Sequence, residues 1–455
     1  MKRKNILLAA LLLLTSNTAL MAQNDNDDET VTVTNAKGEE EEIDVPESMT
    51  YEIDSLLSLY NSKTYLHADT TNHMRDVNPV FDTDVYKSRL KRMPTIIEMP
   101  YNDVVQKFID LYSGRRRRSV SFMLGASNFY MPIFEQALET YDMPLELKYL
   151  PVIESGLNPK AVSRVGATGL WQFMLATGKR YGLKVNSLVD ERRDPVKASY
   201  AAARYLKDLY KIFGDWNLVI AAYNCGPDKI NKAIHRANSK DYWQIYPYLP
   251  EETRGYVPAF IAANYIMTYY CDHNIAPMIT DLPVKTDTVL VNRDVHFQQV
   301  AQVLGLDIDQ IRELNPQYRR DIVNGSSEPS DLRLPCDYIN AFIDKQDSIF
   351  NFRDDELLSK RATVAVNDDE PSYKRYSSSR HSSSRSSHNN STSSRKNSKK
   401  SKKNKKNNSG KNITIRQGDT LSEIAHRNGT TVKKLKQLNN ISGSNIRAGK
   451  KLRVK

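Results

Sequence analysis

Apolar residues recur every three to four positions through much of the chain between residues 51 and 270, a spacing that predicts amphipathic helices. The stretch DPVKASYAAARYLKDLYKIFG is the clearest case. Asp194 suits an N-cap, Pro195 the first helical position and Gly214 the residue after the helix end. Alanines on the apolar face of this stretch predict a core helix that packs closely against its neighbours.

Two smaller units near the C-terminus combine strand and helix patterns. In residues 284–336, DTVLVN and DLRLP alternate like short strands, and HFQQVAQVLGL and DIDQIRELNP between them have helical spacing. The same order returns in residues 412–455, from NITIRQGD to GKKLRVK. The predicted fold class is therefore mainly α, with a helical domain followed by small β-α-α-β modules.

The N-terminal region has three parts of different composition. Residues 1–22 combine basic residues with an apolar run too short to span a bilayer, which predicts a secretory signal peptide. Residues 23–50 are acidic and poor in large apolar side chains, which predicts a disordered lead-in. Residues 51–142 predict a helical extension. The mature protein is expected in the periplasm or cell envelope, free or associated with a membrane.

The net charge of +11 comes from the C-terminal end of the chain. Residues 366–411 form a Ser-, Lys-, Arg- and Asn-rich run with almost no apolar side chains, which is typical of a flexible cationic tether. Residues 23–371 carry a net negative charge. The run RRRR at residues 115–118 is more typical of a solvated turn near acidic neighbours than of nucleic-acid contact, so no nucleic-acid partner is expected.

The cysteines do not indicate a metal site. Cys225, Cys271 and Cys336 are too few and too scattered for a disulfide framework or a zinc site. A single disulfide between Cys225 and Cys271 stays open at this point. We expect neither a metal nor a cofactor.

One carboxylate, Glu154, directly follows an apolar run in the stretch LPVIESGLNPKAVSRVGATGLWQFM, residues 150–174. Apolar neighbours such as Val152 and Ile153 disfavour an ionised carboxylate, and a protonated glutamate can donate its proton to a leaving oxygen. Gly156 is expected to end the helix there, where the helix dipole also disfavours negative charge. On composition alone, such a glutamate is more often a surface residue than a catalyst.

Three motifs follow one another from residue 154 to residue 258. The first comprises Glu154, Ser155, Pro159, Ala161, Ser163, Gly166, Ala167, Gly169, Leu170, Gln172 and Met174. The second comprises Ala222, Tyr223, Asn224 and Gly226, and the third Glu252, Thr253, Tyr256, Val257 and Pro258. Together they resemble the signature of lytic transglycosylases of the soluble lytic transglycosylase type, which share a goose-lysozyme-like fold. The resemblance implies a lysozyme-like catalytic domain over residues 143–275.

The resemblance also implies the chemistry. These enzymes cleave the β-1,4 bond between N-acetylmuramic acid and N-acetylglucosamine, and the sugar's own C6 hydroxyl closes a 1,6-anhydro ring. Most glycosidases need two carboxylates, but an attacking hydroxyl that arrives with the substrate lets one residue, Glu154, serve as acid and base. As substrate-binding residues the resemblance implies Ser155, Gln172, Tyr223, Asn224 and Tyr256.

The C-terminal unit, residues 412–455, resembles a LysM module, which binds glycans that contain N-acetylglucosamine. The resemblance rests on the loop Gly418, Asp419, Thr420 and Leu421, which is the expected glycan-binding loop. Residues 284–336 resemble LysM only weakly, because RDVHFQQVA replaces the Gly-Asp-Thr-Leu opening.

The sequence thus predicts an envelope enzyme that cleaves peptidoglycan glycan strands while its LysM module holds the polymer. The cationic tether is expected to meet anionic wall or membrane surfaces. Two alternatives stay open: a hydrolytic muramidase that uses water, and a non-catalytic wall-binding scaffold. An intact Glu154 argues against the scaffold, which has no need of the acid.

Overall fold

The computed structural model describes residues 30–34, 38–46, 49, 66–67, 69, 77–280, 282–283, 285–359, 412–414, 424, 428, 430, 432–439 and 450–454. The chain divides into two compact units, residues 1–375 and 376–455. The expected signal peptide and the cationic run lie outside the described residues. Within the described ranges, no helix has the length and apolarity needed to cross a bilayer.

The first unit is mainly helical, which confirms the predicted fold class. Its helical domain comprises α1 Thr83–Arg92, α2 Asp103–Ser113, α3 Arg117–Thr140, α4 Leu150–Ser155, α5 Leu175–Arg180, α6 Pro195–Phe213, α7 Trp216–Cys225, α8 Pro227–Ala237, α9 Tyr242–Ile245, α10 Glu251–Arg254 and α11 Tyr256–Tyr269. Short 3₁₀ turns lie at Leu145–Tyr149, Tyr246–Tyr248 and Tyr270–His273. Helix α11 is buried from its first residue to Met267 and packs on α2, α4 and α7, so it forms the centre of the domain.

Helix α6 begins and ends where the sequence predicts. The Asp194 side chain accepts hydrogen bonds from the backbone N–H groups of Val196 and Lys197, both at 2.9 Å. Gly214 ends the helix in the left-handed conformation, with φ of 68°. The alanines of this helix are fully buried, and they let α6 approach α3 and α7 closely.

The prediction of a disordered acidic lead-in is wrong for part of residues 23–50. Strand β1, Thr30–Thr34, pairs antiparallel with β2, Glu40–Asp44. Val31, Val33 and Ile43 are buried in the core of the helical domain, and the hairpin contacts α2 and α10. The alternation TVTVT puts both valines on one face of the strand, a local signal that the acidic composition obscured. Nearer the main domain, β3 Leu66–His67 pairs with β4 Ile279–Thr280.

The arginine run at residues 115–118 is only in part the solvated turn that was predicted: residues 114–116 form a turn, and Arg115 and Arg118 are exposed. Arg116 is buried, and Arg117 begins α3. The Arg117 guanidinium donates to the carbonyl oxygens of Ser113, His273 and Asn274, at 2.9, 3.2 and 2.9 Å. Arg117 therefore ties α2 to the end of the helical domain through backbone carbonyls.

A β-α-α-β module follows the helical domain, as predicted. Its elements are β5 Thr286–Val291, β6 Asp294–His296, α12 Phe297–Leu304, α13 Ile308–Leu314, β7 Ile322–Asn324 and β8 Ser330–Pro335, followed by α14 Ile339–Asp344, α15 Gln346–Asn351 and α16 Asp354–Leu357. Strand β5 pairs antiparallel with β8, and β6 with β7. Phe342, Ile349 and Phe350 are buried in the module's core, so the folded body extends beyond the predicted boundary at residue 336.

The second unit contains the C-terminal module. Strand β9, Asn412–Thr414, pairs antiparallel with β10, Lys451–Arg453, and α17, Val432–Asn439, lies between them in the chain. Leu435 and Leu452 are buried. The predicted glycan-binding loop, Gly418 to Leu421, lies outside the described residues.

Candidate active site

Glu154 lies in the last turn of the short helix α4, which packs against α11. Gly156 ends the helix in the left-handed conformation with φ of 59°, as predicted, and Leu157 follows with φ of 61°. The side chain of Glu154 is half-buried. The sharp turn therefore sets one carboxylate at the junction of an apolar helix and the loop that follows it.

The hydroxyl of Tyr256 donates a hydrogen bond to Oε1 of Glu154. Tyr256 is the first residue of α11 and only 2% exposed. Burial, and then the charge of Glu154, raise the pKa of Tyr256 well above its ordinary value. The hydroxyl therefore keeps its proton and fixes one oxygen of the carboxylate.

Ser155 is fully buried, and its expected contact with substrate stays a prediction. Its hydroxyl lies within hydrogen-bond distance of the carbonyl oxygens of Pro151, at 3.1 Å, and Leu170, at 3.0 Å. The bond to Leu170 joins α4 to the loop that carries the rest of the first motif. Ser155, the chain neighbour of Glu154, therefore joins this helix to the loop from inside the core.

The loop of the first motif, residues 156–174, connects α4 to α5 and is called the motif loop below. Its conformation depends on Gly169. Gly169 has φ of +88°, and a Cβ atom there would lie 1.8 Å from the carbonyl oxygen of Arg192. Only glycine fits this position. Gln172 has φ of 46° and its Nε2 donates to the carbonyl oxygen of Gly169 at 2.8 Å. Trp171 anchors the loop from inside, since it is fully buried and its Nε1 donates to Oγ of Ser199 at 2.9 Å.

The second motif lies at the end of α7 and faces the first. The hydroxyl of Tyr223 donates to the carbonyl oxygen of Trp171 at 2.8 Å. Burial, and then the charge of Glu154, raise the pKa of Tyr223, which indicates that this ring lies close to the acid. Asn224 is exposed, and its Oδ1 accepts a hydrogen bond at 2.9 Å from the hydroxyl of Thr253 in the third motif. The structure therefore brings all three motifs together around Glu154.

Two charged residues that the sequence analysis missed hold the motif loop. Asp190 is fully buried and accepts two hydrogen bonds from Arg192, both at 2.9 Å. Arg192 Nη1 also lies 3.2 Å from the carbonyl oxygens of Gly166 and Phe173, at opposite sides of the loop. In the sequence these residues stand in the charged stretch VDERRDP, which has the composition of an exposed turn. Only their burial distinguishes them.

The three cysteines are free. The disulfide between Cys225 and Cys271 that the sequence left open is therefore not formed in the structure. Among the described residues, no cluster of His, Cys, Asp and Glu side chains is arranged to hold a metal ion.

Comparison with protein families places the first two motifs in a known domain. Residues 131–246 match the family described as the transglycosylase SLT domain. The chain carries a transglycosylase SLT domain. Residues 285–350 match the LysM-like domain of lytic transglycosylase MltD, and residues 413–455 match the LysM domain. These matches confirm the family resemblance, and the second reaches beyond residue 336, as the folded module does.

The chain is also similar to several named proteins. It is 29% identical over 330 residues to membrane-bound lytic murein transglycosylase D of Escherichia coli K12, covering 71% of this chain and 63% of the relative. It is 31% identical over 126 residues to the soluble lytic murein transglycosylase of the same strain, covering 26% of this chain and 19% of the relative. Among solved structures, the 70 kDa soluble lytic transglycosylase of E. coli matches with a TM-score of 0.28 and 27% identity, covering 33% of this chain and 25% of that one. The chain thus spans less than two thirds of these relatives.

Proposed function

We propose that this protein cleaves peptidoglycan as a lytic transglycosylase and that Glu154 is its acid and base. The observation that carries the proposal is the hydrogen bond from Tyr256 to Glu154, an acid that lies within the part of the chain that matches the SLT domain. A buried tyrosine hydroxyl that donates a hydrogen bond to one carboxylate oxygen holds the acid in a fixed orientation. A surface glutamate has no need of such a partner.

In this mechanism the protonated Glu154 donates its proton to the oxygen between N-acetylmuramic acid and N-acetylglucosamine. The bond from the anomeric carbon to that oxygen breaks, and positive charge develops on the muramic acid ring. The C6 hydroxyl oxygen of the same sugar then bonds to the anomeric carbon and yields its proton to the Glu154 carboxylate. The products are a 1,6-anhydro end and a free hydroxyl on N-acetylglucosamine, and Glu154 returns to its starting state.

The hydroxyl of Tyr256 acts on the charge that forms in the first step. As Glu154 loses its proton, its carboxylate becomes a stronger acceptor, so the hydrogen bond from Tyr256 strengthens towards the transition state. Ser155 keeps α4 in register with the motif loop. Tyr256 and Ser155 are therefore positioning residues in this proposal.

The groove residues in the proposal are Gln172, Asn224 and Tyr223, which belong to the first and second motifs. Asn224 is exposed and Gln172 is half-buried, so both amides have surface to offer to sugar hydroxyl and acetamido groups. Tyr223 contributes part of its ring. A stacked ring and a few amide contacts are typical of a groove that orients a sugar chain.

The outer parts of the proposal concern location and binding. Residues 1–22 direct export, and the cell envelope is where the substrate lies. The module at residues 412–455, which matches the LysM domain, binds the glycan and raises the local concentration of the catalytic domain. The cationic run at residues 366–411 adds contact with anionic surfaces. The domain boundaries of this proposal are 143–275 for the catalytic domain and 51–142 for the extension before it.

The test is mass spectrometry of the muropeptides released from purified peptidoglycan. The mature protein should release 1,6-anhydro products, and Glu154→Gln should release none while still binding sacculi. Glu146→Gln is the matched control, because Glu146 is a second glutamate in the same region. It is buried and accepts a hydrogen bond from the backbone N–H of Ile97 that an amide oxygen can also accept. Products with reducing ends would indicate a hydrolytic muramidase. No products from the wild-type protein, with binding retained, would indicate a scaffold.

A further inference from the structure

The LysM-like module and the helical domain are joined by backbone pairing. The N–H of Asp190 donates to the carbonyl oxygen of Gln317 at 2.9 Å, and the N–H of Arg319 donates to that of Leu188 at 2.7 Å. Leu188, a residue of the helical domain, is fully buried within the hydrophobic core of the module. Segment 188–190 therefore belongs to both bodies, and the two cannot separate without exposing this core.

The first link from the module to the active site passes through Asp190. Arg319 Nη2 of the module lies 3.9 Å from Oδ2 of Asp190. Asp190 in turn holds the guanidinium of Arg192, which contacts two carbonyl oxygens of the motif loop. Because Asp190 is fully buried, its position is fixed by the module on one side and Arg192 on the other.

The second link lies on the other side of the loop. Glu313 of helix α13 forms a salt bridge with Lys160, and the Glu313 side chain is only 7% exposed. Next to Lys160, the carbonyl oxygen of Ala161 accepts a hydrogen bond from the N–H of Gly169 at 2.9 Å. Burial raises the pKa of the Glu313 carboxyl while Lys160 lowers it, as expected for an ion pair removed from water.

We propose that the LysM-like module positions the catalytic acid, with Glu313 and Arg319 as its positioning residues. The two links hold the motif loop from both sides. In this loop, the carbonyl oxygen of Leu170 accepts a hydrogen bond from the hydroxyl of Ser155, the residue next to Glu154. Residues 317–319 of the module use their backbone groups to pair with segment 188–190 of the helical domain. This inference rests on the proposed function for its effect on rate, whereas the effect on loop order stands by itself.

The experiment compares two double variants of the full chain that both keep the net charge. Glu313→Gln with Arg319→Gln removes the charged side-chain contact of each link and leaves the backbone pairing in place. Arg312→Gln with Asp309→Asn is the control, because Arg312 pairs with Asp309 at 2.8 Å and with Asp321 at 2.6 Å, and all three residues belong to the module. Hydrogen exchange, read by mass spectrometry, should accelerate at least tenfold across residues 161–173 in the first variant and remain unchanged in the control. At 25 °C, kcat on glycan strands should fall at least tenfold, with KM within twofold of the wild-type value.

A rescue variant separates positioning from general damage. Glu313→Lys alone should lose activity, and adding Lys160→Glu should restore part of kcat by re-forming the pair with reversed charges. Unchanged loop exchange in the double variant would overturn the proposal, and so would a rise in KM at constant kcat, which would assign the module to substrate binding. If the wild-type protein releases no anhydro products, the proposed function fails, and loop exchange still decides whether the module holds the loop.

Discussion

Replacing Tyr256 by phenylalanine removes the hydroxyl that donates a hydrogen bond to Glu154 and leaves the aromatic ring in place. Tyr256 is 2% exposed, so water has little access to replace the lost donor. Hydrogen bonds to charged groups are worth about 1.5–3 kcal/mol. Since the carboxylate charge of Glu154 develops as the proton leaves, this loss falls on the transition state. At 1.36 kcal/mol for each tenfold change, kcat should fall about 10- to 150-fold while KM changes little.

The loss should be the same across the working pH range. The pKa of Tyr256 is raised by burial and by the charge of Glu154, so the hydroxyl remains a neutral donor well above the ordinary tyrosine pKa of about 10. The ratio of wild-type to variant kcat should therefore stay constant between about pH 5 and pH 9. A ratio that falls towards the alkaline end would mean that Tyr256 ionises in the wild-type enzyme.

The assay is the initial rate of release of anhydro-muropeptides, measured at several substrate concentrations. Tyr265→Phe is the matched control, because Tyr265 is a fully buried tyrosine of the same helix whose hydroxyl accepts from Arg89 at 2.9 Å instead. This control should lower the unfolding free energy but leave kcat at 25 °C unchanged. A kcat for Tyr256→Phe within twofold of wild type would refute the assignment of Tyr256 to the acid.

Two further predictions concern stability. Gly169→Ala should lower the free energy of unfolding, measured in urea, by about 3 kcal/mol or more, because the new Cβ would lie 1.8 Å from the carbonyl oxygen of Arg192. Gly166 also has a positive φ, but a Cβ there would meet nothing within 4 Å. Gly166→Ala should therefore lower the free energy of unfolding by only about 1–2 kcal/mol. Equal losses would contradict the close approach. Burial, and then Arg89, lower the pKa of His273 to about 4. The unfolded chain, with a histidine pKa of about 6.5, takes up the proton first, so stability should fall by about 2 kcal/mol from pH 7 to pH 5. His273→Gln should remove that part of the pH dependence, and an unchanged dependence would refute it.

The sequence by itself determined the features that depend on neighbouring residues. The N-cap at Asp194 and the helix end at Gly156 follow from short-range hydrogen bonding and from the conformational freedom of glycine. The hydrophobic period identified the helical domain and the β-α-α-β order of residues 284–336. The three motifs predicted the family and singled out Glu154 as the candidate acid, because the spacing of a signature can be read from the chain without any knowledge of packing.

Composition was a poor guide where a few residues decide the local structure. The lead-in is acidic on average, but the valines of TVTVT are enough to anchor a hairpin on the helical domain. The arginine run at residues 115–118 has the composition of an exposed turn, yet Arg117 donates to three backbone carbonyls. In both cases burial against distant elements overrides the average polarity of the segment.

Only the tertiary structure decided what surrounds the acid. Tyr256 meets Glu154 across 102 residues of sequence, and Lys160 meets Glu313 across 153. No local pattern encodes such pairs, because each depends on how whole helices pack. The same holds for Ser155, whose place in the first motif implied contact with sugar and whose burial makes it a support for the loop. Local motifs in the sequence thus predict the chemistry. The geometry that this chemistry needs comes from contacts between residues far apart in sequence.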